Sequence, residues 1–212
     1  MKKKEEKQTE PHMKKIMIAT PCHDGKLPVH YVSALLDTMR AGLPAVIAPV
    51  FLPGESMLPH ARNYLAQLFL DSDFDVLFYI DADMVWAPEQ FARIALSNKP
   101  IVSGVAHLKA ENAPLNFREL QKEKPDADKL LSVESIGCAF MKIDRVVVEA
   151  VAHDSEPYTI HGNTYRSLFE YSIDKGELTG EDIVFSRKIR RRKYKILADL
   201  NVVVGHLGTK IY

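Results

Sequence analysis

The chain has 212 residues, 46% of them apolar, with 28 Lys+Arg against 28 Asp+Glu. That length supports a sizeable α/β core, and the even charge balance lacks the basic field of a nucleic-acid binder, so no specific nucleic acid is expected as a partner. No apolar stretch approaches the ~20 residues that span a bilayer, no apolar signal region follows the lysine-rich start, and Cys22 and Cys138 make no disulfide framework, so a cytoplasmic location is expected.

Residues 1–13 are charged and expected to be disordered; residues 14–212 read as a single domain. A first strand is predicted over 15–20, closed by Pro21. A helix follows over 29–41, with Val32, Leu35, Leu36 and Met39 on one face and Gly42 as its stop. A second strand covers 45–51, broken by Pro53-Gly54, and a second helix 58–70. The third strand, 75–80, precedes a helix over 88–97 with Pro88 in its first turn and a fourth strand over 100–105. This alternation predicts an α/β fold with a mainly parallel central sheet and helices on both faces.

The second half is less regular. Residues 106–129 read as a polar excursion or a short strand pair. Strands are predicted over 131–136 and 139–143, around Gly137-Cys138, and Asp144 stands where it would cap a helix over 145–152. Residues 155–175, rich in Tyr, His and Gly, read as a functional loop region. A helix over 182–192 and strands over 194–197 and 202–204 complete the chain.

The feature richest in chemistry is Val76-Leu77-Phe78-Tyr79-Ile80-Asp81-Ala82-Asp83. A buried strand ends in two carboxylates one residue apart, and strand alternation would put both on one face. Charges there are costly to leave unpaired, and the carboxyl edge of an open α/β sheet is where ligands bind. Mg²⁺ and Mn²⁺ prefer oxygen ligands and commonly take one or two carboxylates plus phosphates. The same pair would also serve to cap the next helix or pair with a lysine.

Other candidates are weaker alone. Gly180-Glu181-Asp182 opens a helix whose positive end favours acids; the acids are a catalytic base with its support, or ordinary capping. His206, between Gly205 and Gly208, is a transition-metal ligand or a structural histidine. Arg62-Asn63 offers a guanidinium fork for phosphate and an amide for a carboxylate, or a solvated helix face. Thr20-Pro21-Cys22-His23 ends the first strand, where a nucleotide would lie; nothing marks Cys22 as a nucleophile. The cluster 187–193 is a basic helix face, or a surface for an anionic acceptor or phospholipid. Trp86, just beyond Asp83, reads as packing, or as a lid or nucleotide-adjacent group.

Taken together in this order, Thr20-Pro21, Arg62-Asn63, Asp81-Ala82-Asp83, Gly180-Glu181-Asp182-x-x-Phe185 and His206 resemble the GT-A-fold nucleotide-sugar glycosyltransferases, over about residues 15–206. The chain looks like a minimal catalytic domain, such as those of large viruses and phages; if viral, its compartment would be the host cytoplasm. The resemblance implies a GT-A-like Rossmann-type sandwich with a smaller, irregular acceptor-side half. It implies transfer of a hexosyl or deoxyhexosyl group to a hydroxyl acceptor, carbohydrate or other. Asp83 would bind Mn²⁺ or Mg²⁺, His206 would complete the metal site, and Asp81 would touch the metal or the ribose. Thr20, Pro21, Cys22, Arg62, Asn63 and Ala82 would line the donor nucleotide, UDP ahead of GDP. Ser103-Gly104 and Gly137-Cys138 would border the sugar, and residues 155–175 would shape acceptor recognition or close as a lid. Asp182 would be the base of an inverting displacement, supported by Glu181. One departure is that Val50-Phe51-Leu52-Pro53-Gly54 carries no acid to read a nucleobase.

Two other functions fit part of the pattern. A nucleotidyltransferase also uses paired carboxylates, but would place a Gly-rich basic loop after strand one, where Pro21-Cys22-His23-Asp24-Gly25-Lys26 has one Gly and one Lys. A non-catalytic nucleotide- or carbohydrate-binding module would not need Asp81, Asp83, Asp182 and His206 together.

Overall fold

The computed structural model describes residues 13–109 and 113–208. The disorder expected of the N-terminal segment therefore falls, Met13 apart, outside the described residues. The first half alternates as expected: β1 (Lys14–Cys22), α1 (Val29–Arg40), β2 (Ala45–Pro53), α2 (Leu58–Leu70), β3 (Val76–Ile80), a two-residue β4 (Met84–Val85), α3 (Pro88–Ala95) and β5 (Ile101–Ala106). The second half adds β6 (Phe117–Glu119), β7 (Leu130–Ile136), β8 (Phe140–Asp144), α4 (Arg145–Asp154), the hairpin strands β9 (Pro157–Ile160) and β10 (Asn163–Arg166), a second hairpin of β11 (Ser172–Asp174) and β12 (Glu177–Thr179), then α5 (Glu181–Arg191) and β13 (Ile196–His206).

One nine-stranded sheet organises these elements in the order β2-β1-β3-β8-β5-β13-β7-β6, with β4 against β13. The strands β2, β1, β3, β5 and β13 run one way; β8 is inserted antiparallel between β3 and β5. Alternation along β1 shows how one strand feeds two cores. Met17 and Ala19 face α2, α4 and α5 through Leu65, Phe69, Val148, Phe185 and Ile189. Ile16 and Ile18 face α1 and α3 through Tyr31, Leu35, Phe91 and Ile94. All five residues of β3 are buried, as its unbroken apolar run requires.

Several boundaries differ from the sequence reading, each for a tertiary reason. Strand β1 runs through Pro21 to Cys22 because beyond Ala19 it pairs only with β2, where a missing N–H is tolerated. Pro49 is carried by β2 because that strand is the sheet edge. The two strands expected near the C-terminus are one strand, β13, with an irregularity between Asp199 and Val203. Residues 155–175 form most of the two hairpins rather than a loop, each turning on a positive-φ pair, His161-Gly162 and Lys175-Gly176. Asp144 holds the N-cap position of α4 but makes no capping bond; its carboxylate lies 2.6 Å from Lys142.

Candidate active site

Because β1, β2, β3, β5 and β13 run in one direction, Cys22, Pro53, Asp81, His107 and His206 gather at one edge of the sheet. Past Ile80 the chain leaves the strand. Asp81-Ala82-Asp83 is a turn, closed by the Met84 N–H on the Asp81 carbonyl at 3.1 Å. The two carboxylates therefore diverge instead of sharing a strand face.

Asp81 turns to Arg62. One guanidinium nitrogen, Nη2, donates to both carboxylate oxygens at 3.2 and 3.1 Å. Arg62 is 3% exposed, lies 5.9 Å over the Tyr79 ring and 5.8 Å over the Phe169 ring, and its Nε stands 3.8 Å from Glu181. Burial works against the guanidinium charge, but Asp81 and Glu181 hold its pKa above the ordinary value. Burial likewise raises the Glu181 pKa, against the pull of Arg62. Arg62 thus joins the acids that end β3 to those that begin α5, and it lines the cleft beside them.

Asp83 turns to His206. The antiparallel pairing of β4 with β13 sets His206 opposite Met84, and the Leu207 N–H donates to the Asp83 carbonyl at 2.8 Å. Gly205 allows this approach: a Cβ there would be 3.3 Å from the Val85 Cβ. His206 Nδ1 lies 2.9 Å from the His107 carbonyl oxygen, so Nδ1 carries the proton. In the neutral ring Nε2 is then a lone-pair nitrogen, 3.4 Å from Asp83 Oδ2. Two acceptors facing each other call for a cation, and one is present in the Lys109 ammonium, which pairs with the same Oδ2.

Two cavities meet at this turn, and Asp81 and Asp83 line both. One, of about 440 Å³, is walled by Arg62, Asn116, Gly137, Cys138, Asp182 and His206. The other, also about 440 Å³, is walled by Pro21, His23, Lys26, Leu58 and Ala82. Asp182 stands in the first turn of α5, where the helix favours negative charge; its Oδ1 accepts the Ile183 N–H at 2.7 Å. A Cβ on Gly137 would lie 3.2 Å from Asn116 Nδ2 and 3.5 Å from Asp182 Oδ2, so glycine keeps this wall open.

Of the residues expected at the site, Arg62, Asp81, Ala82, Asp83, Pro21, Gly137, Cys138, Asp182 and His206 line the cavities. Others are held away from them. Thr20 is fully buried and shares a 2.5 Å hydrogen bond with Tyr31. The Cys22 thiol donates to the Lys26 carbonyl at 2.9 Å, and its pKa is raised by burial. Asn63 clamps the Phe169 backbone, donating to its carbonyl and accepting its N–H, both at 2.8 Å. Ser103 is buried against the Phe140 carbonyl, and Gly104 is a packing glycine, with Phe140 and Val202 atoms 2.9 Å from where a Cβ would stand. Burial pushes the Cys138 thiol well up, which leaves it unreactive. Trp86 packs edge-on against Tyr31 and donates to Thr38. In the basic cluster, Arg187, Lys188 and Arg192 pair with Asp174, Glu170 and Asp154. Sequence reasoning missed Lys109, Asn116 and Tyr79, whose hydroxyl donates to the Arg62 carbonyl at 2.7 Å. Lys109 and Asn116 lie outside the strands and reach the site through side-chain contacts across the fold, and Tyr79 reads from sequence as one more apolar residue of β3.

The sequence matches no protein-family model and no curated protein. Among solved structures, the chain is similar to A197 from STIV, with a TM-score of 0.63 and 18% identity over 93% of this chain and 87% of that one. It is also similar to GalNAc-T7, solved with UDP, GalNAc and Mn²⁺, with a TM-score of 0.55 and 13% identity over 94% of this chain and 45% of that one. The chain therefore spans less than half the length of GalNAc-T7. At such identities the likeness concerns architecture, and on it the chain has a GT-A-like glycosyltransferase fold.

Proposed function

We propose that the chain is a metal-dependent glycosyltransferase, transferring a sugar from a nucleotide-diphosphate donor to a hydroxyl acceptor with inversion. The observation that carries this reading is the meeting of Asp83 and His206 on the ridge between two cavities, with Asp182 in the wall of one of them. The donor set fits Mn²⁺ or Mg²⁺. A carboxylate suits either cation, and an imidazole nitrogen with its lone pair turned inward favours Mn²⁺ of the two. Among the described residues no group of three or more His, Cys, Asp or Glu is arranged around one point, so diphosphate oxygens and water would fill the remaining positions.

Asp83 and His206 would hold the cation, which when bound neutralises the departing diphosphate. Asp81, fixed by Arg62, would meet the ribose or the metal. Pro21 and Ala82 would wall the nucleotide; Gly137, with no side chain, would leave room for the sugar. Asp182 would accept the acceptor hydroxyl proton as the new bond forms, with Glu181 holding Arg62 behind it. The likeness to a fold solved with UDP and Mn²⁺ supports UDP ahead of GDP as donor nucleotide.

The test is thermal denaturation with UDP, GDP, CDP and dTDP, each with and without Mn²⁺. One nucleotide should stabilise the chain by about 2.7 kcal/mol at a hundredfold excess over Kd. The gain should vanish on chelation and in Asp83→Ala. Absence of any nucleotide-dependent shift in the folded wild type would overturn the proposal.

A further inference from the structure

The carboxylate assigned to the metal is already engaged by a cation of the chain itself. Lys109 Nζ pairs with Asp83 Oδ2, and His206 Nε2 lies 3.4 Å from that same oxygen. The segment carrying Lys109 is tied to the site: His107 accepts from His206 Nδ1 and bridges to Leu115, and the Leu108 N–H donates to the Pro114 carbonyl at 3.1 Å. The two residues before Lys109 are therefore anchored, while its side chain is 44% exposed on a flexible four-carbon stem. Lys109 thus shares its carboxylate oxygen with a histidine whose Nδ1 is occupied by the His107 carbonyl and whose Nε2 faces that same oxygen.

We propose that Lys109 is an exchangeable counter-cation, which neutralises Asp83 until a divalent cation takes the Asp83–His206 position and then turns its ammonium to the donor diphosphate. This rests on the metal–nucleotide reading of the site. A divalent cation on Oδ2 repels the ammonium from it. Leu108, Asp83 and His206 all border the same cleft, so the displaced charge stays where a diphosphate would lie, and lysine binds phosphate as a mobile point charge. Exchange has a signature that neither a structural nor a purely phosphate-binding lysine shares: removal should strengthen metal binding and weaken nucleotide binding.

The experiment is calorimetric titration of the full chain and its Lys109→Met variant with Mn²⁺ alone, then with UDP and GDP separately in saturating Mn²⁺. The variant should bind Mn²⁺ about two- to fivefold more tightly, the scale of a lost exposed ion pair, and nucleotide about tenfold more weakly, as for a lost charged contact. Lys109→Arg should restore most of the nucleotide affinity. Mn²⁺ affinity that is equal or weaker in Lys109→Met overturns the exchange alone, as does unchanged nucleotide affinity. Mn²⁺ binding in neither protein, or binding that survives Asp83→Ala, overturns the metal reading along with it.

Discussion

Arg62 is the residue on which both acidic motifs turn, since its buried guanidinium reaches Asp81 on one side and Glu181 on the other. One buried cation between two carboxylates is costly to break, because a lost partner leaves an uncompensated charge. Glu181 has a measurable signature here. Burial raises its pKa, so the folded chain holds that proton more tightly than the unfolded one. The stability so gained is complete below the unfolded value and is lost as pH rises through the folded one. Urea denaturation of wild type and Glu181→Gln at about pH 4 and about pH 7 should therefore show wild type losing ground to the variant at the higher pH. A difference that does not change with pH would mean that Glu181 titrates alike in both states. For its neighbour, Asp182→Asn should lower transfer by about 10²- to 10⁴-fold, the usual worth of a general base, with nucleotide and Mn²⁺ affinity nearly intact. Transfer at the wild-type rate would remove Asp182 from that role. At this scale the acids and His206 were legible because their residue types are rare beside buried strands. Which way each side chain turns was not: Thr20 is drawn inward by Tyr31, and Asp81 by Arg62, across contacts that no local pattern encodes.

At the scale of elements, α2 does more than cover the sheet. It buries Ala61, Leu65, Ala66 and Phe69, and from the same helix Asn63 grips Phe169, whose ring stacks on Phe185 of α5 at 4.1 Å. Asn63→Ala leaves the Phe169 N–H and carbonyl without the Asn63 partners they have among the described residues. The expected cost is about 2–4 kcal/mol, read as a lower urea midpoint with an unchanged denaturant slope. The helices were legible because their apolar periodicity is local. The hairpins were not, and residues 155–175 read as a loop, because the short flanking strands with exposed Ile173 and Leu178 lack the alternation that marks a half-buried strand. The continuity of β13 was hidden because residues 196–206 are held together by pairing with β5, β7 and β4, far away in sequence.

For the molecule as a whole, the sequence carried the α/β alternation and the two-sided sheet, since each follows from period and order. It did not carry the strand order. Nothing near residues 140–144 announces that they fill the gap between β3 and β5, a choice made by complementary edges instead of by propensity. No described helix is long and apolar enough to cross a membrane. The late insertion of β8 bears on synthesis. A growing chain that has released everything through β5 still holds β5 without a strand partner among the earlier described residues, because β5 pairs only with β8 and β13. Unpaired apolar edges of that kind invite aggregation. The Asp81 N–H is itself bonded to the Ala139 carbonyl at 3.0 Å, at the threshold of β8. The sheet edge that carries the candidate site is therefore completed only after β8 and then β13 have been released.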